Sequence, residues 1–281
     1  MTGFINVNKA SGASSAKEVA AIKRLTKTPC GHMGTLDPMA SGVLPVAIGN
    51  AARLFDYFLD KRKKYFATFR FGTDSDTLDS TGNVLENVGR IPTKQEIAEI
   101  LPQFLGAVAQ VPPRYSAKNV SGKRGYELAR AGVDFSLPPK TVKIYALKVF
   151  DNKLADCYDF EIDCGGGTYI RSLARDIAQR LGTRAIMSSL VRTQSGPFLI
   201  ENAVKSEDLT ENNIKNRIIP TESLLPFDSI YPDEKTGFKL FNGLTVNCEK
   251  PDGIYKIYKN SVFYGLAEVK QSILKVRIKL C

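Results

Sequence analysis

The sequence predicts an α+β fold, with a mixed, mainly antiparallel central sheet, flanking helices and a small C-terminal β domain. Three observations lead to this prediction. Some segments alternate apolar and polar residues with the period of two that is typical of half-buried strands, and others repeat apolar residues with the period of a helix. The two kinds of segment do not alternate regularly along the 281 residues, so a doubly wound parallel sheet fits less well.

The helices are predicted from caps and apolar periodicity. A serine or threonine followed three residues later by glutamate forms a capping box, which is typical of a helix start. A glycine after the last apolar residue is typical of a helix end. The residues that show these patterns are Ser15 with Glu18, Thr93 with Glu96 before Gly106, and Ile170, Leu173, Ile177 and Leu181 before Gly182.

Strands are predicted at Tyr65–Phe71 and Tyr158–Cys164, where apolar and polar residues alternate. Toward the C-terminus the pattern changes to short alternating segments separated by polar turns. We therefore predict a main domain over residues 1–228 and a small β domain over 229–281. Inside the main domain, a polar insert that contains several glycines, at about residues 118–140, is predicted to be mobile.

The charge of the chain points to a polyanionic partner. Lysine and arginine total 39, and aspartate and glutamate total 29, which gives a formal net charge of +10 and a pI near 9.3. An excess of this size favours nucleic acid or anionic lipid. No apolar stretch approaches the roughly 20 residues of a membrane span, and no secretory signal pattern is present. We therefore expect a cytoplasmic protein without a membrane partner.

The sequence contains few signals of metal or cofactor binding. The five cysteines include no C-x-x-C pair, and a single histidine, His32, rules out paired-histidine metal sites. The nucleotide-binding patterns G-x-x-x-x-G-K-[ST] and G-x-G-x-x-G are both absent. A calcium loop beginning at Asp74 fails because Asp79 and Leu85 stand where glycine and glutamate are required. We expect neither a metal nor a cofactor.

The segment Gly31–Leu44 carries most of the chemical information. Pro38 disfavours the helical conformation for Asp37, and the glycines of the segment leave room for the close approach of a ligand. These features would present the Asp37 carboxylate on an exposed loop. An Asp-Pro pair alone indicates only a turn. The functional hypothesis therefore depends on the longer pattern around it.

That longer pattern resembles the signature loop of the TruB-type family of tRNA pseudouridine-55 synthases, G-x-x-G-T/A-L-D-P-x-A-x-G-x-L followed by G-x-A-T/A-K/R. The chain reads GHMGTLDPMASGVL at residues 31–44 and GNAAR at residues 49–53. The resemblance spans roughly residues 3–228 and continues more weakly to the C-terminus. The further segments that agree in order are Lys9–Ser15, Lys64–Tyr65, Thr73–Gly82, Tyr115–Lys118, Gly167–Arg171 and Leu190–Arg192.

The resemblance implies the pseudouridine synthase fold with a C-terminal domain of PUA type. It implies the isomerisation of uridine-55 in the T-arm loop of tRNA, on a nucleotide flipped out of its stack, without a cofactor. By the same resemblance, Asp37 is the catalytic carboxylate, Tyr65 stacks on the base and moves a proton, and Arg171 pairs with Asp37. Two routes stay open for Asp37, which are a sugar ester and the abstraction of a proton.

The resemblance also implies a set of substrate contacts. The RNA partner is the T-arm stem-loop of tRNA, which a monomer is expected to bind. A run of four basic residues, Lys61–Lys64, is expected to contact phosphates. The individual residues expected to bind substrate are His32, Tyr169, Leu190, Lys9, Arg53 and Lys118.

Two alternatives to a stand-alone tRNA uridine isomerase remain. The first is a relative that depends on a guide RNA, which is disfavoured because the chain has no long basic extension for assembly with partner proteins. The second is a non-catalytic factor that binds or folds tRNA through the same cleft. Modification of tRNA without a guide would separate the isomerase from both.

Overall fold

The computed structural model describes residues 1–59, 61–116, 118–120 and 122–280. Within these residues the strands are β1 (Gly3–Lys9), β2 (Cys30–His32), β3 (Ser41–Ile48), β4 (Lys63–Phe71), β5 (Asp74–Ser75), β6 (Val84–Leu85), β7 (Gly106–Gln110), β8 (Asn119–Val120), β9 (Lys123–Arg124), β10 (Lys140–Asp151), β11 (Cys157–Cys164), β12 (Ala185–Ser195), β13 (Phe198–Leu199), β14 (Ser229–Ile230), β15 (Val246–Asn247), β16 (Gly253–Lys259), β17 (Val262–Lys270) and β18 (Ile273–Lys279). The α-helices are α1 (Ser15–Thr26), α2 (Phe55–Leu59), α3 (Lys94–Ile100), α4 (Gly125–Arg130), α5 (Ile170–Arg180) and α6 (Glu234–Phe241).

The main sheet is mixed and mainly antiparallel. Seven of its nine strands follow the order β1-β3-β12-β4-β11-β10-β7, while β2 pairs with β3 and β13 pairs with β12. Only the pairing of β12 with β3 is parallel among the described residues of this sheet. A second sheet, in the order β14-β16-β17-β18-β15, uses residues 229–279. The predicted α+β class with a C-terminal β domain is confirmed.

Apolar side chains cover both faces of the main sheet. On one face, helices α1, α3 and α5 place Ile22, Ile97 and Leu173 in a core with Phe69 and Phe160, whose rings stack with centroids 4.3 Å apart. Full burial of each such side chain stabilises the fold by about 1.5–3 kcal/mol. None of the helices in the described part of the chain combines the length and apolar character that a membrane span requires.

The second sheet contributes to the core on the other face. Leu266 and Leu280 lie in the same buried cluster as Phe4 and Leu54 of the main domain. The Arg53 Nη1 also donates a hydrogen bond to the Lys279 carbonyl at 2.9 Å. The domain division at residues 228 and 229 stays a prediction, because the two parts share this apolar cluster.

The helix boundaries agree with the predicted signals at the start of α3 and the end of α5 and differ at α1 and at the end of α3. Helix α3 ends at Ile100, because Pro102 cannot continue it, and Gly106 begins β7 instead of ending the helix. Thr93 and Glu96 form the predicted capping box, and Gly182 follows α5 with a φ of +67°. Helix α1 is instead capped by Ser14, whose hydroxyl accepts a hydrogen bond from the Lys17 amide at 3.1 Å. The prediction that Ser15 caps this helix is wrong, because the Ser15 hydroxyl is engaged elsewhere.

The polar insert lies between β7 and β10 and forms a small unit of its own. Its short strands β8 and β9 pair with each other, and α4 follows directly. The Gly125 amide donates to the Lys118 carbonyl at 2.8 Å, which closes the hairpin. The mobility of this insert stays a prediction.

The parallel contact between β3 and β12 requires glycine at residue 42. Gly42 pairs with Arg192 and has a φ of +98°, and a Cβ atom there would lie 2.3 Å from the Arg192 carbonyl oxygen. Side chains are disfavoured at this φ, and overpacking against a backbone atom adds to the cost. Gly42 therefore keeps the strand after Asp37 close to the centre of the sheet.

We expect Gly42→Ala to lower the free energy of unfolding by about 3 kcal/mol, measured by urea denaturation. Gly12→Ala is the matched control, because Gly12 has a φ of +86° but nothing within 4 Å of the added Cβ. It should cost about 1 kcal/mol. Equal losses in the two variants would contradict the close-approach explanation.

Candidate active site

The loop that follows β2 presents Asp37, and its backbone is fixed on both sides of that residue. We call residues 33–40 the aspartate loop. The Ser15 hydroxyl donates to the Leu36 carbonyl at 2.8 Å and accepts from the Leu36 amide at 3.0 Å. The Pro38 carbonyl accepts hydrogen bonds from the Gly12 amide and from the Lys9 ammonium. Asp37 is therefore held in place by bonds to its two neighbours rather than by a regular strand or helix.

Asp37 forms a two-point ion pair with Arg171. The Arg171 Nε lies 2.9 Å from Asp37 Oδ2, and its Nη2 donates to Asp37 Oδ1 at 3.0 Å. The Arg171 side chain is 6% exposed, whereas that of Asp37 is 32% exposed. Arg171 stands in the first turn of α5, where a cation is unfavourable unless an anion lies nearby. The structure thus shows the anion that this position requires.

Further acceptors surround the Arg171 guanidinium. Its Nη1 donates to the Thr77 carbonyl at 3.0 Å, and its Nη2 donates to the Tyr115 carbonyl at 3.1 Å. Asp79 Oδ2 lies 3.6 Å from Nη1. Asp79 is itself buried and accepts from the Thr81 amide at 2.9 Å and the Thr81 hydroxyl at 2.6 Å. Arg171 is therefore fixed by two carboxylates and two carbonyls.

Opposing effects act on the acidity of Asp37. Burial raises the pKa of Asp37 above its ordinary value, and the charge of the Arg171 guanidinium opposes this rise. The neighbouring Asp79 carboxylate raises the Asp37 pKa further, and Lys9 lowers it. The carboxylate is thus partly desolvated while its ionised form is paired, which suits a group that must react as an anion.

Tyr65 lies beside this pair on the central strand β4. Its side chain is buried, and desolvation raises the pKa of Tyr65 to about 12, an effect that the nearby Arg192 guanidinium opposes. Tyr65 pairs across the sheet with Arg192 of β12. The hydroxyl is therefore neutral near pH 7, in an apolar wall that suits contact with a flat ring.

The pair and the tyrosine line one cleft of about 720 Å³. This volume lies within the range of small-ligand sites. The cleft walls come from the aspartate loop, from strands β4 and β12, from the start of α5 and from the insert. The lining side chains that carry the chemistry or shape the pocket are Asp37, Tyr65, Asp79, Tyr126, Arg130, Tyr169, Arg171, Leu190 and Arg192.

The structure places two of the predicted binding residues in the cleft. Tyr169 is half-buried and its backbone exchanges two hydrogen bonds with the Gln110 amide group. Leu190 is buried on β12 and contributes an apolar wall. Both are positioned to contact a base inserted beside Tyr65.

Lys9 requires a correction, since it was expected to bind substrate. Its side chain is fully buried, and its ammonium donates to the carbonyls of Ala13 at 2.7 Å, Ala10 at 2.9 Å and Pro38 at 3.1 Å. The apolar pattern of β1 gave no sign that a lysine could be buried there. Lys9 therefore binds the aspartate loop from inside the protein and is not exposed for contact with a substrate.

Three other predicted contacts lie outside the cleft lining. His32 is partly buried on β2, with a pKa lowered by burial, and its Nδ1 is buried without a hydrogen-bond partner among the described residues. Arg53 is exposed and bonds to the C-terminal strand. Lys118 is half-buried at the base of the insert. None of these three residues lines the cleft, so their contact with substrate stays a prediction.

The basic run at residues 61–64 is partly neutralised by the protein. Arg62 makes two hydrogen bonds to Asp163, at 2.5 and 2.8 Å, and Lys64 lies 4.0 Å from the same carboxylate. Lys63 is buried and donates to the Lys61 carbonyl at 3.0 Å. Several of these four cations are therefore engaged by protein groups and are not all available to bind phosphates.

Sequence reasoning missed several cleft residues. Tyr126 and Arg130 reach the cleft from α4 of the insert, and only the basic character of that segment hinted at their presence. Neither Asp79 nor Arg192 was predicted as a site residue, and both line the cleft. A hydrophobic strand such as β12 gives no signal that one of its polar residues points inward to a loop carbonyl.

The charge of Asp79 should be measurable at Asp37. We expect Asp79→Asn to lower the Asp37 pKa, because the variant removes a negative charge that raises it and leaves Arg171 with one carboxylate. The carboxyl ¹³C resonance of Asp37, followed by NMR during a pH titration, measures this change. Asp74→Asn is the control on the same segment. A rise in the Asp37 pKa of Asp79→Asn would contradict the described network.

Comparison with known proteins identifies the family. The model for the TruB family pseudouridylate synthase N-terminal domain matches residues 22–170, and that for the tRNA pseudouridylate synthase B C-terminal domain matches residues 171–230. A tRNA pseudouridine synthase B of Clostridium perfringens is 39% identical over 280 residues, which is 95% of each chain. That of Clostridium acetobutylicum is 37% identical over 289 residues, covering 100% of this chain and 99% of the relative.

Solved structures agree with this assignment. The crystal structure of a Cbf5-Nop10-Gar1 complex is similar with a TM-score of 0.71 at 25% identity, over 99% of this chain and 84% of that chain. An H/ACA RNP bound to a substrate RNA containing 2′-deoxyuridine has a TM-score of 0.69 at 22% identity, over 99% and 85% of the two chains, and supports the fold alone. The chain therefore belongs to the TruB family of pseudouridylate synthases and is an RNA-modifying isomerase.

Proposed function

We propose that the enzyme isomerises uridine-55 in the T-arm loop of tRNA, with Asp37 as the carboxylate that acts on the ribose. The observation that carries this proposal is the two-point pair of Asp37 with the buried Arg171 at the floor of the cleft. A paired carboxylate beside a buried tyrosine fits the splitting of a glycosidic bond, where positive charge develops at the anomeric carbon.

The reaction rearranges bonds within one nucleotide. The N1–C1′ bond breaks and its electron pair leaves with the uracil, while the Asp37 carboxylate acts on the ribose as nucleophile or as base. The freed uracil turns, and its C5 forms a new bond to C1′. The C5 proton is then lost and N1 gains a proton, so that product and substrate are isomers. Both routes for Asp37 begin with its ionised form.

The shape of the cleft supports a flipped nucleotide. A base in a stacked loop must be extruded to reach the aspartate loop, at a cost of a few kcal/mol. Tyr65 and Leu190 offer the apolar faces that offset part of this cost, and Tyr169 borders the same space. Arg130 and Tyr126 of the insert stand at the entrance side, where they can contact the RNA that surrounds the base.

The proposal also includes tRNA as the partner and a monomer as the active form. The net charge of +10 favours tRNA as a polyanionic partner, and binding should weaken with salt. One chain supplies the whole described cleft, so a monomer suffices. We propose that the second sheet contacts RNA as a PUA-type domain. A tRNA substrate also fits action in the cytoplasm.

Primer extension on unmodified tRNA, after chemical marking of pseudouridine, tests the substrate assignment. With purified protein and no guide RNA, we expect a single stop in the T-arm loop, one nucleotide to the 3′ side of position 55, which marks pseudouridine at that position. Modification only in the presence of a guide RNA would assign the protein to the guide-dependent class. Tight tRNA binding without any modification would leave it as an RNA-binding factor.

We expect Asp37→Asn to lower the single-turnover rate by a factor of about 10³ or more, because an amide cannot act as nucleophile or base. Filter binding should show tRNA affinity within a few-fold of wild type. Asp56→Asn is the matched control, since Asp56 is exposed on α2 and does not line the cleft. A wild-type rate for Asp37→Asn would refute the assigned role.

A further inference from the structure

Arg192 is a buried cation whose charge has no described carboxylate partner. Its side chain is 1% exposed and lines the cleft. Its Nε donates to the Val43 carbonyl at 2.7 Å, its Nη2 to the Gly34 carbonyl at 3.0 Å, and its Nη1 lies 3.4 Å from the Thr35 carbonyl. Within the described chain its guanidinium forms hydrogen bonds to carbonyls and no ion pair.

Arg171 and Lys9, two other buried cations beside the cleft, differ in this respect. Arg171 has two carboxylates, Asp37 and Asp79, within ion-pair distance. Lys9 is under the electrostatic influence of Asp37 and Glu18. A buried charge without a counter-charge is costly, so its presence points to a role that a neutral side chain cannot fill. Arg192 lines the cleft, and no carboxylate among the described residues lies within ion-pair distance of its guanidinium.

The position of Arg192 links the two halves of the site. Its backbone pairs with Gly42, just after the aspartate loop, and on the other side with Tyr65. Its side chain holds the carbonyls of Gly34 and Thr35 within that loop. One residue therefore connects Tyr65 on β4 with the aspartate loop, through its backbone and its side chain.

Three charged or titratable groups act on the Tyr65 hydroxyl from the elements around it. The Arg192 guanidinium of β12 lowers the pKa of Tyr65, whereas Cys164 of β11 and Asp37 of the aspartate loop raise it. Burial is the largest effect and also raises it. Arg192 is thus the neighbour that favours negative charge on the Tyr65 oxygen.

We propose that Arg192 is a positioning residue that acts through Tyr65, as the counter-charge that allows the Tyr65 hydroxyl to move a proton during the final step. This inference rests on the proposed function. It adds to that function a group outside the Asp37–Arg171 pair, and it explains why the sheet keeps an arginine at its buried centre.

The final step moves one proton to N1 and one proton away from C5. After C5 has joined C1′, the ring carries a hydrogen on C5 and lacks one on N1. The Tyr65 hydroxyl gives its proton to N1 and becomes a phenolate, which Arg192 stabilises. The phenolate then takes the proton from C5, so Tyr65 returns to its starting state and the base becomes aromatic pseudouracil.

A double-mutant cycle separates this role from a merely structural one. We expect Arg192→Gln to lower kcat by about 100-fold at pH 7.5 with little change in KM, as for the loss of acid–base assistance. In the Tyr65→Phe background, which lacks the hydroxyl, the same change should cost at least about tenfold less, because only its effect on the aspartate loop remains. Arg192→Lys keeps the charge and should recover at least tenfold of the loss. Arg180→Gln, at the exposed end of α5, should stay within about twofold of wild type.

Equal losses for Arg192→Gln in the wild-type and Tyr65→Phe backgrounds would overturn the proposal, because they would show that Arg192 acts independently of the hydroxyl. If Arg192→Gln does not fold, Arg192→Lys is taken through the same cycle. The Lys variant lacks the planar fork that reaches several carbonyls at once. Its loss of rate should be smaller in the Tyr65→Phe background than in the wild-type background, and equal losses in the two backgrounds would contradict the proposal.

A measurement without activity distinguishes failure of this inference from failure of the proposed function. With the tyrosine Cζ atoms labelled, NMR titration follows the ionisation of Tyr65 directly. Arg192→Gln should raise the Tyr65 pKa further, because it removes the charge that lowers it. An unchanged Tyr65 pKa would refute the electrostatic link. If Arg192→Gln alters the Tyr65 pKa but the wild-type protein leaves tRNA unmodified, the electrostatic link holds and the proposed function is refuted instead.

Discussion

The site depends on one ion pair, in which the buried guanidinium of Arg171 holds the carboxylate of Asp37 at the floor of the cleft. Removal from water favours the neutral acid, whereas an adjacent cation favours the anion. In surroundings of low effective dielectric the attraction between such charges is several times stronger than in water. A reactive carboxylate can therefore stay ionised where a base displaces solvent. Asp79 and the carbonyls of Thr77 and Tyr115 complete the arrangement by fixing the guanidinium itself.

Much of the remaining structure serves to hold the aspartate loop. Ser15 binds Leu36, Lys9 binds Pro38, and Arg192 binds Gly34, so elements from three parts of the sheet and helix layer meet at one loop. Each of these side chains donates a hydrogen bond to a backbone carbonyl of the loop. The Tyr115 carbonyl on Arg171 extends the same network to the start of the insert. The start of the insert is thus linked through one hydrogen bond to the guanidinium that pairs with Asp37.

The sequence predicted the fold class because alternation and caps are local signals, whereas the pairing of Asp37 with Arg171 was predicted only through the family resemblance. The sequence did not reveal the burial of Lys9, since the three carbonyls that surround its ammonium come from two separate loops. The cap at Ser14 instead of Ser15 was missed for a similar reason, as Ser15 is taken up by a tertiary contact with Leu36. Arg192 shows the same limit, because its role depends on Gly34 and Tyr65, both more than 100 residues earlier in the chain.

The central claim is that Asp37 reacts as an anion which Arg171 stabilises. The most direct test compares two curves on the wild-type enzyme: the single-turnover rate as a function of pH, and the Asp37 carboxyl titration by NMR in the free protein. With subsaturating enzyme, the rate should fall on the acid side with the same midpoint as the titration, and that midpoint should lie above the ordinary aspartate value because burial raises the Asp37 pKa. A rate that persists at a pH where the Asp37 carboxyl is fully protonated would contradict the account.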